Sequence, residues 1–374
     1  MTVTVAVLCP SFSRGLQDYT HNLARGLAET DLDFAVYVNR AYPHDTETPM
    51  SRPVFSGNPA EDVRRLVTAL RKDRPDIVHS QSTNLKLLVL LLVLRPVLGY
   101  RLVLTPHSST SNWDRPLFDR VQYRIYSNCD GVIWHTEHDL EAVDITDVEQ
   151  TIIDHGNYAF YARDVDLDRV TARDRLGLPE RDVVFLFFGY IRSNKRLDLL
   201  IDAFASLPPE FRRDASLVVA GKPVADDGSG DWAPFDTYRR RIQEQGIADS
   251  VYTWPEFVDD DDVPAFFVAS DVIVTPYDTI SESGVAHIAF AFGRPVIASR
   301  TGGFAELLDD GEHGYLFPSG SVPGLRDRLR TAIKNPDALA RMGERNAARA
   351  RRNDWVSAAE DTVAFYDRVV GPSP

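Results

Sequence analysis

The sequence predicts an α/β protein built from two doubly wound, Rossmann-like units, and three observations lead there. Apolar runs of strand length alternate with longer helix-patterned segments from end to end, the order of parallel βαβ units. A chain of 374 residues has room for two domains, at about 150 residues each. A polar, irregular stretch at 158–174 separates the two runs of alternation. With 44% hydrophobic and 26% charged residues, wholesale disorder and fibrous repeats are excluded. The net charge of -14 repels phosphate backbones, which argues against nucleic acid as a partner.

In the first half, strands are expected at 3–9, 34–38, 77–79, 102–105, 132–135 and 151–153, with helices at 19–29 and 59–72 among the connections. The opening MTVTVAVLCP lacks the basic head and cleavage site of a signal peptide. Cys9 and Cys129 stand far apart without metal-ligand spacing. Both features predict a cytoplasmic location. Gly15 opens the helix after the first strand, where bare backbone amides favour an anion. Residues 85–105 are strongly apolar, but Lys86, Arg95, Pro96 and Arg101 interrupt them. A membrane span needs about 20 uninterrupted apolar residues, so a buried helix followed by a strand is expected. Arg64, Arg65, Arg71, Lys72 and Arg74 form either a solvated face or a peripheral contact with the inner face of the cell membrane. His135, Glu137, His138 and Asp139 cluster in sequence, yet His135 ends a strand and no distant third ligand is evident, so no metal is expected.

In the second half, strands are expected at 183–188, 216–220, 251–253, 272–275, 295–299 and 314–317. The first ends in Gly189 and a short loop holding Arg192 and Lys195, before a helix with Leu197, Leu200, Ile201 and Phe204 on one face. The helix dipole disfavours cations at its N-terminus unless an anion compensates them. With only five lysines in the chain, Lys195 at this place marks a diphosphate site. The strand at 272–275 leads to Ser283 and Gly284, ahead of a helix expected at 285–292. Ser283 suits the helix cap, and Gly284 lets amides approach a ligand oxygen. Gly302 and Gly303 form a turn before Glu306, which is either a favourable cap charge or a ligand contact. The run Asp259 to Asp262 suits another helix N-terminus. No GxxxxGK[ST], GxGxxG after a strand, HExxH or GxSxG is present, which removes the supports for P-loop, dehydrogenase, zinc protease and serine hydrolase readings.

The succession strand, Gly189, loop with Arg192 and Lys195, helix, then Ser283-Gly284, GRPVIAS, GG-x-x-E and DGEHGYL resembles the retaining glycosyltransferase family 4 (glycosyl transferases group 1) of GT-B fold. The likeness is densest over 185–317 and looser in PSFSRGLQDYTHNLARGLAE, DIVHSQ, TPHSS and DHGNY. It implies two domains facing across a cleft: an acceptor-side domain at 1–165, to which a C-terminal helix at 354–370 crosses back, and a donor-binding domain at 166–353. It also implies transfer of a sugar from a UDP-, GDP- or ADP-sugar to a glycan or lipid-linked acceptor with retention, without a required cofactor. Lys195 matches the family lysine, whereas Tyr190 holds the place of its arginine and Arg192 takes that part. The family's paired glutamates fall at Ile280 and Ile288, with Glu282 the nearby carboxylate. By the same likeness Gly284 and Val285 offer amides to phosphate, Gly189, Ser283 and Glu306 belong to the donor site, the Gly15 loop closes over the donor phosphate, and His107 touches the donor sugar. The isoleucines motivate two other readings of the fold, a noncatalytic sugar- or nucleotide-binding subunit and a nucleotide-sugar epimerase.

Overall fold

The structure is a computed structural model that describes residues 3–11, 14–40, 50–107, 116–180, 183–224, 234–352 and 354–371. The chain divides into two compact units, Met1–Gly156 with Asn353–Pro374, and Asn157–Arg352.

The first unit carries β1 (Thr4–Cys9), β2 (Asp33–Asn39), β3 (Ser51–Phe55), β4 (Ile77–Ser80), β5 (Arg101–Leu104), β6 (Gly131–Trp134) and β7 (Glu149–Ile152). They form one parallel sheet in the order β3-β2-β1-β4-β5-β6-β7. Side chains alternate between its faces, as strand pleating requires. Val5 and Val7 join one core with Tyr19, Leu23, Leu27 and the C-terminal helix Trp355–Val370, while Ala6 and Leu8 join the other with Leu66, Leu70, Leu88 and Leu91. The C-terminal helix packs so closely on Arg14–Ala28 that a Cβ on Gly26 would stand 2.1 Å from the Trp355 carbonyl oxygen.

Three features of this unit depart from expectation. Strand β3, SRPVF, was not foreseen, because Arg52 and Pro53 break its apolar signature. It lies at the sheet edge, where proline's missing N–H leaves no gap in the ladder. The first helix, Arg14–Ala28, starts beside Gly15, ahead of the 19–29 span expected from its apolar pattern. The helix expected to be buried, Leu85–Leu98, buries Leu88 and Leu91 but leaves Val89, Val93 and Val97 47%, 64% and 73% exposed. Apolar residues surround this helix, so its sequence has no periodicity to tell the two faces apart. Among the described residues no helix is long and apolar enough to cross a membrane.

The second unit carries β8 (Val183–Phe188), β9 (Ala215–Ala220), β10 (Val251–Trp254), β11 (Val272–Thr275), β12 (Val296–Ser299) and β13 (Gly314–Phe317), parallel and in the order β10-β9-β8-β11-β12-β13. The division between units falls after Gly156 rather than after 165, because Tyr158 and Tyr161 pack in this second core. The stretch expected to be irregular contains a 3-10 turn, Ala159–Tyr161, and the helix Arg169–Arg175. Asp168 caps that helix by accepting from the Thr171 N–H at 2.9 Å. Arg173 is buried beneath it, bonded to Asp271 at 2.7 Å and to the Ala269 carbonyl at 3.0 Å. A charged residue on the inner face hides the helical pattern from a hydrophobicity count.

Candidate functional site

Ligands of open parallel sheets gather beyond the carboxyl ends of the strands where the strand order reverses. In the second unit that point lies between β8 and β11, each of which continues away in the opposite direction across the sheet.

Strand β8 ends at Gly189, whose φ of +100° suits glycine alone among common residues. Its backbone lies against Gly221, where an added Cβ would stand 1.8 Å from the Gly189 carbonyl oxygen. Gly221→Ala is therefore expected to destabilise the second unit by about 2–3 kcal/mol, seen as a lower urea midpoint. Beyond the strand, the Ile191 N–H donates to the Lys222 carbonyl at 3.0 Å and the Val224 N–H to the Ile191 carbonyl at 3.1 Å, so the loop starts from a fixed base. A single 3-10 turn, Ser193–Lys195, then delivers the chain to the helix Leu197–Ala205. Leu197, Leu200, Ile201 and Phe204 of that helix are fully buried, as their spacing predicts.

The turn aims Lys195 Nζ at the face of Tyr277, 3.5 Å from the ring centroid. Burial, and after it the charge of Arg192, pull the Lys195 ammonium down to about 7. Among the described residues neither Lys195 nor Arg192 has a carboxylate partner, whereas the adjacent Arg196 pairs with both Asp198 and Asp278. The Arg192 guanidinium lies 5.9 Å from the Tyr190 ring. Two cations that repel one another and lack a counter-ion form a site that an anion would stabilise.

The loop after β11 completes the site. The Asp278 N–H donates to the Asn194 carbonyl at 2.9 Å, joining this loop to the first, and Ser283 caps the helix Gly284–Ala291 by accepting from the Ala286 N–H at 3.4 Å. A Cβ on Gly189 would meet the Val285 side chain at 3.4 Å, and one on Gly284 the Tyr158 hydroxyl at 3.3 Å. The sequence-expected residues Gly189, Arg192, Lys195, Ser283, Gly284 and Val285 thus belong to one neighbourhood. Glu282 also lies here, its Oε2 accepting from the Ser283 N–H at 3.2 Å and 2.9 Å from His287 Nε2. Ile280 and Ile288 pack in or against the hydrophobic core. A third loop is stitched to the second: the Gly303 N–H donates to the Ile280 carbonyl at 3.1 Å and Thr301 Oγ1 to the Asp278 carbonyl at 3.1 Å. Gly302, at φ +46°, leaves no room for a Cβ, which would stand 1.8 Å from that Ile280 oxygen. The turn carries Glu306 on the short helix Phe304–Leu307, with its side chain exposed.

In the first unit, His107 follows β5 and donates from Nε2 to Gln81 Oε1 at 2.9 Å, with its ring edge-on to Tyr19 at 4.6 Å. Burial, then His135, His155 and His79, hold it well below the ordinary histidine value, so the imidazole is neutral. Gly15 is exposed, and among the described residues nothing stands within 4 Å of where a Cβ would be. Residues 12–13 beside it and residues 108–109 of TPHSS lie outside the described residues. His135 Nδ1 bonds the Ile153 carbonyl at 2.9 Å, and Glu137 and Asp139 occupy the first turn of a helix capped by Thr136. Among the described residues no group of three or more His, Cys, Asp or Glu side chains is arranged to hold a metal ion.

Sequence reasoning missed Arg196, Tyr277, Asp278, His287 and Tyr158. The signal for Tyr277 and Asp278 was their place directly beyond a buried strand, where ligand loops begin.

Comparison with known proteins agrees with this architecture. Residues 168–349 match the family described as Glycosyl transferases group 1, and residues 13–144 match Glycosyltransferase Family 4. The D-inositol 3-phosphate glycosyltransferase of Streptomyces coelicolor is 35% identical over 205 residues, 54% of this chain and 44% of that protein. The chain spans about half the length of the curated relatives it matches. Anabaena HepE in complex with UDP-glucose superposes with a TM-score of 0.82 at 19% identity, over 98% of this chain and 99% of that one. Sucrose-phosphate synthase from Thermosynechococcus elongatus gives 0.81 at 18% identity, again over 98% and 99%. The two doubly wound sheets, the family motifs in both halves and the shared fold place this chain among the glycosyl transferases of group 1, with the GT-B fold.

Proposed function

We propose that the chain transfers a sugar from a nucleotide diphosphate donor to a glycan or lipid-linked acceptor, with retention, in glycoconjugate biosynthesis. The observation that supports this best is the pair Arg192 and Lys195, cationic, mutually repelling and without a carboxylate, beside the capped N-terminus of the Gly284–Ala291 helix. In the reaction the bond from the anomeric carbon to the diphosphate breaks, and its electron pair leaves with the nucleotide diphosphate. The acceptor oxygen bonds that carbon, and its proton passes to a diphosphate oxygen. Arg192, Lys195 and the amides of Gly284 and Val285 meet the charge that grows on the leaving group, which is where preorganised donors lower a barrier. Glu282, held by His287, takes a hydroxyl of the donor, and Gly189, Ser283 and Glu306 shape its surroundings. His107, a neutral imidazole, and the Gly15 loop are the first unit's candidates for contact with sugar and phosphate. The activity needs no metal ligand from the chain.

HepE was solved with UDP-glucose, so UDP-sugars lead a donor screen that includes GDP- and ADP-sugars. A donor at a hundred times its Kd is expected to raise apparent stability by about 2.7 kcal/mol, read as a thermal shift. Radiolabelled donor then separates the readings. Transfer to an acceptor, or slow hydrolysis without one, supports the enzyme. Binding without turnover on any acceptor supports the noncatalytic subunit that Ile280 and Ile288 suggest, and an epimerised donor without acceptor supports the epimerase.

A further inference from the structure

Lys195 and Arg196 are consecutive cations laid against consecutive residues of a different loop. Lys195 Nζ stands over the Tyr277 ring at 3.5 Å, and Arg196 Nη1 donates to Asp278 Oδ1 at 2.8 Å. The backbones meet at the same place, where the Asp278 N–H donates to the Asn194 carbonyl at 2.9 Å. Arg196 itself adopts φ 50° and ψ 47°, a left-handed conformation that favours glycine. A long side chain persists there with its guanidinium engaged on two sides, by Asp278 across the loops and by Asp198 in the following helix at 3.1 Å.

We infer that Arg196 is a positioning residue, which locks the Arg192–Lys195 loop to Tyr277 and Asp278 and so fixes where the Lys195 ammonium stands. Lys195 has no carboxylate of its own among the described residues, and a half-buried ammonium without a counter-ion is drawn back to solvent. The ion pair of its neighbour supplies the restraint that Lys195 lacks. The same ion pair draws the β8 loop and the β11 loop together, so the cation and the capped Gly284–Ala291 helix keep a fixed spacing before any ligand arrives. The lock itself is independent of the proposed donor chemistry; only its consequence for phosphate binding rests on that reading.

The full chain carries five lysines, so reductive methylation with 13C-formaldehyde gives a small set of NMR signals, and Lys195→Arg identifies the one sought. In the parent that signal titrates near 7, under the burial and the Arg192 charge described above. Arg196→Gly suits the left-handed backbone and preserves the fold; it is expected to move the titration at least about two units toward the ordinary lysine value. Asp278→Asn is expected to do the same, the double variant no more than either alone, and Asp198→Asn to cause little change. A parental titration in Arg196→Gly, or an Asp198→Asn shift as large as that of Asp278→Asn, overturns the lock. Calorimetry with pyrophosphate adds the functional arm: Arg196→Gly weakens binding about tenfold in the parent but adds nothing in a Lys195→Ala background. If Lys195→Ala alone leaves pyrophosphate binding unchanged, the phosphate reading falls, and the NMR titration still decides the lock.

Discussion

Lys195→Ala is expected to lower the rate of sugar transfer about 100- to 1000-fold, the effect of removing one preorganised donor worth about 2.7–4 kcal/mol to a developing oxyanion. The ammonium is placed by the 3-10 turn and the Tyr277 ring, so the loss falls on the transition state rather than on folding. The pH profile gives an independent signature. Burial and Arg192 set the Lys195 ammonium at about 7 in the free protein, and only the protonated form carries the charge that a diphosphate needs. Therefore kcat/KM should fall as pH rises through about 7, since that quantity reports the ionisations of the free enzyme. Lys195→Arg stays charged throughout this range. It should run slower than the parent because a guanidinium is longer and planar, yet lose the fall near neutrality. Steady-state rates from about pH 6 to about pH 9 test both statements. A parental rate in Lys195→Ala, or a flat parental profile over that range, would remove Lys195 from the chemistry.

Local signals made half of the site legible in the sequence. Strand, glycine, cations and helix follow one another from Val183 to Ala205, and so do strand, Ser283, Gly284 and helix from Val272 to Ala291. The helix Leu197–Ala205 carries its own apolar period and the helix Gly284–Ala291 its own Ser283 cap, so the reading needed no long-range partner. What stayed hidden depends on pairing between distant segments. Arg196 and Asp278 are 82 residues apart in sequence, and nothing in the local pattern joins them. Arg173 looks like a surface charge until Asp271, 98 residues on, is placed beside it. Glu282 precedes the cap of its helix, so its bond to His287 follows no helical spacing that a count could detect. Strand β3 was missed for the opposite reason: its residues argue against a strand in a sheet interior, and only its edge position reconciles Pro53 with the ladder. The resemblance to the family supplied the donor chemistry and located the two positions, Ile280 and Ile288, where carboxylates are replaced by core residues.

The first unit should lose stability steeply in acid through its buried histidines. His79 is fully buried, with Nδ1 2.6 Å from the Tyr366 hydroxyl and Nε2 2.7 Å from Thr105 Oγ1. Burial, and then the neighbouring His135, push it down to about 3. His107 is held well below its ordinary value by burial and by His135, His155 and His79. In the unfolded chain each titrates near 6.5. Between that value and the folded one, the unfolded state binds protons that the folded state refuses, so stability rises with pH across this window. The contribution is whole above about pH 6.5 and is lost as the pH falls toward the folded value. For His79 the loss reaches about 4–5 kcal/mol by pH 3, at about 1.4 kcal/mol per unit, and His107 steepens the slope. Carboxylates add to any acid transition, so the decisive quantity is a difference between proteins. His79→Gln keeps a polar group beside Tyr366 and Thr105 but cannot be protonated; it should be less stable at neutral pH and lose stability more slowly below about pH 6. Urea midpoints of parent and variant at several pH values measure that difference. Parallel declines in the two proteins would mean that the proton is taken up elsewhere and that His79 is not what acid attacks.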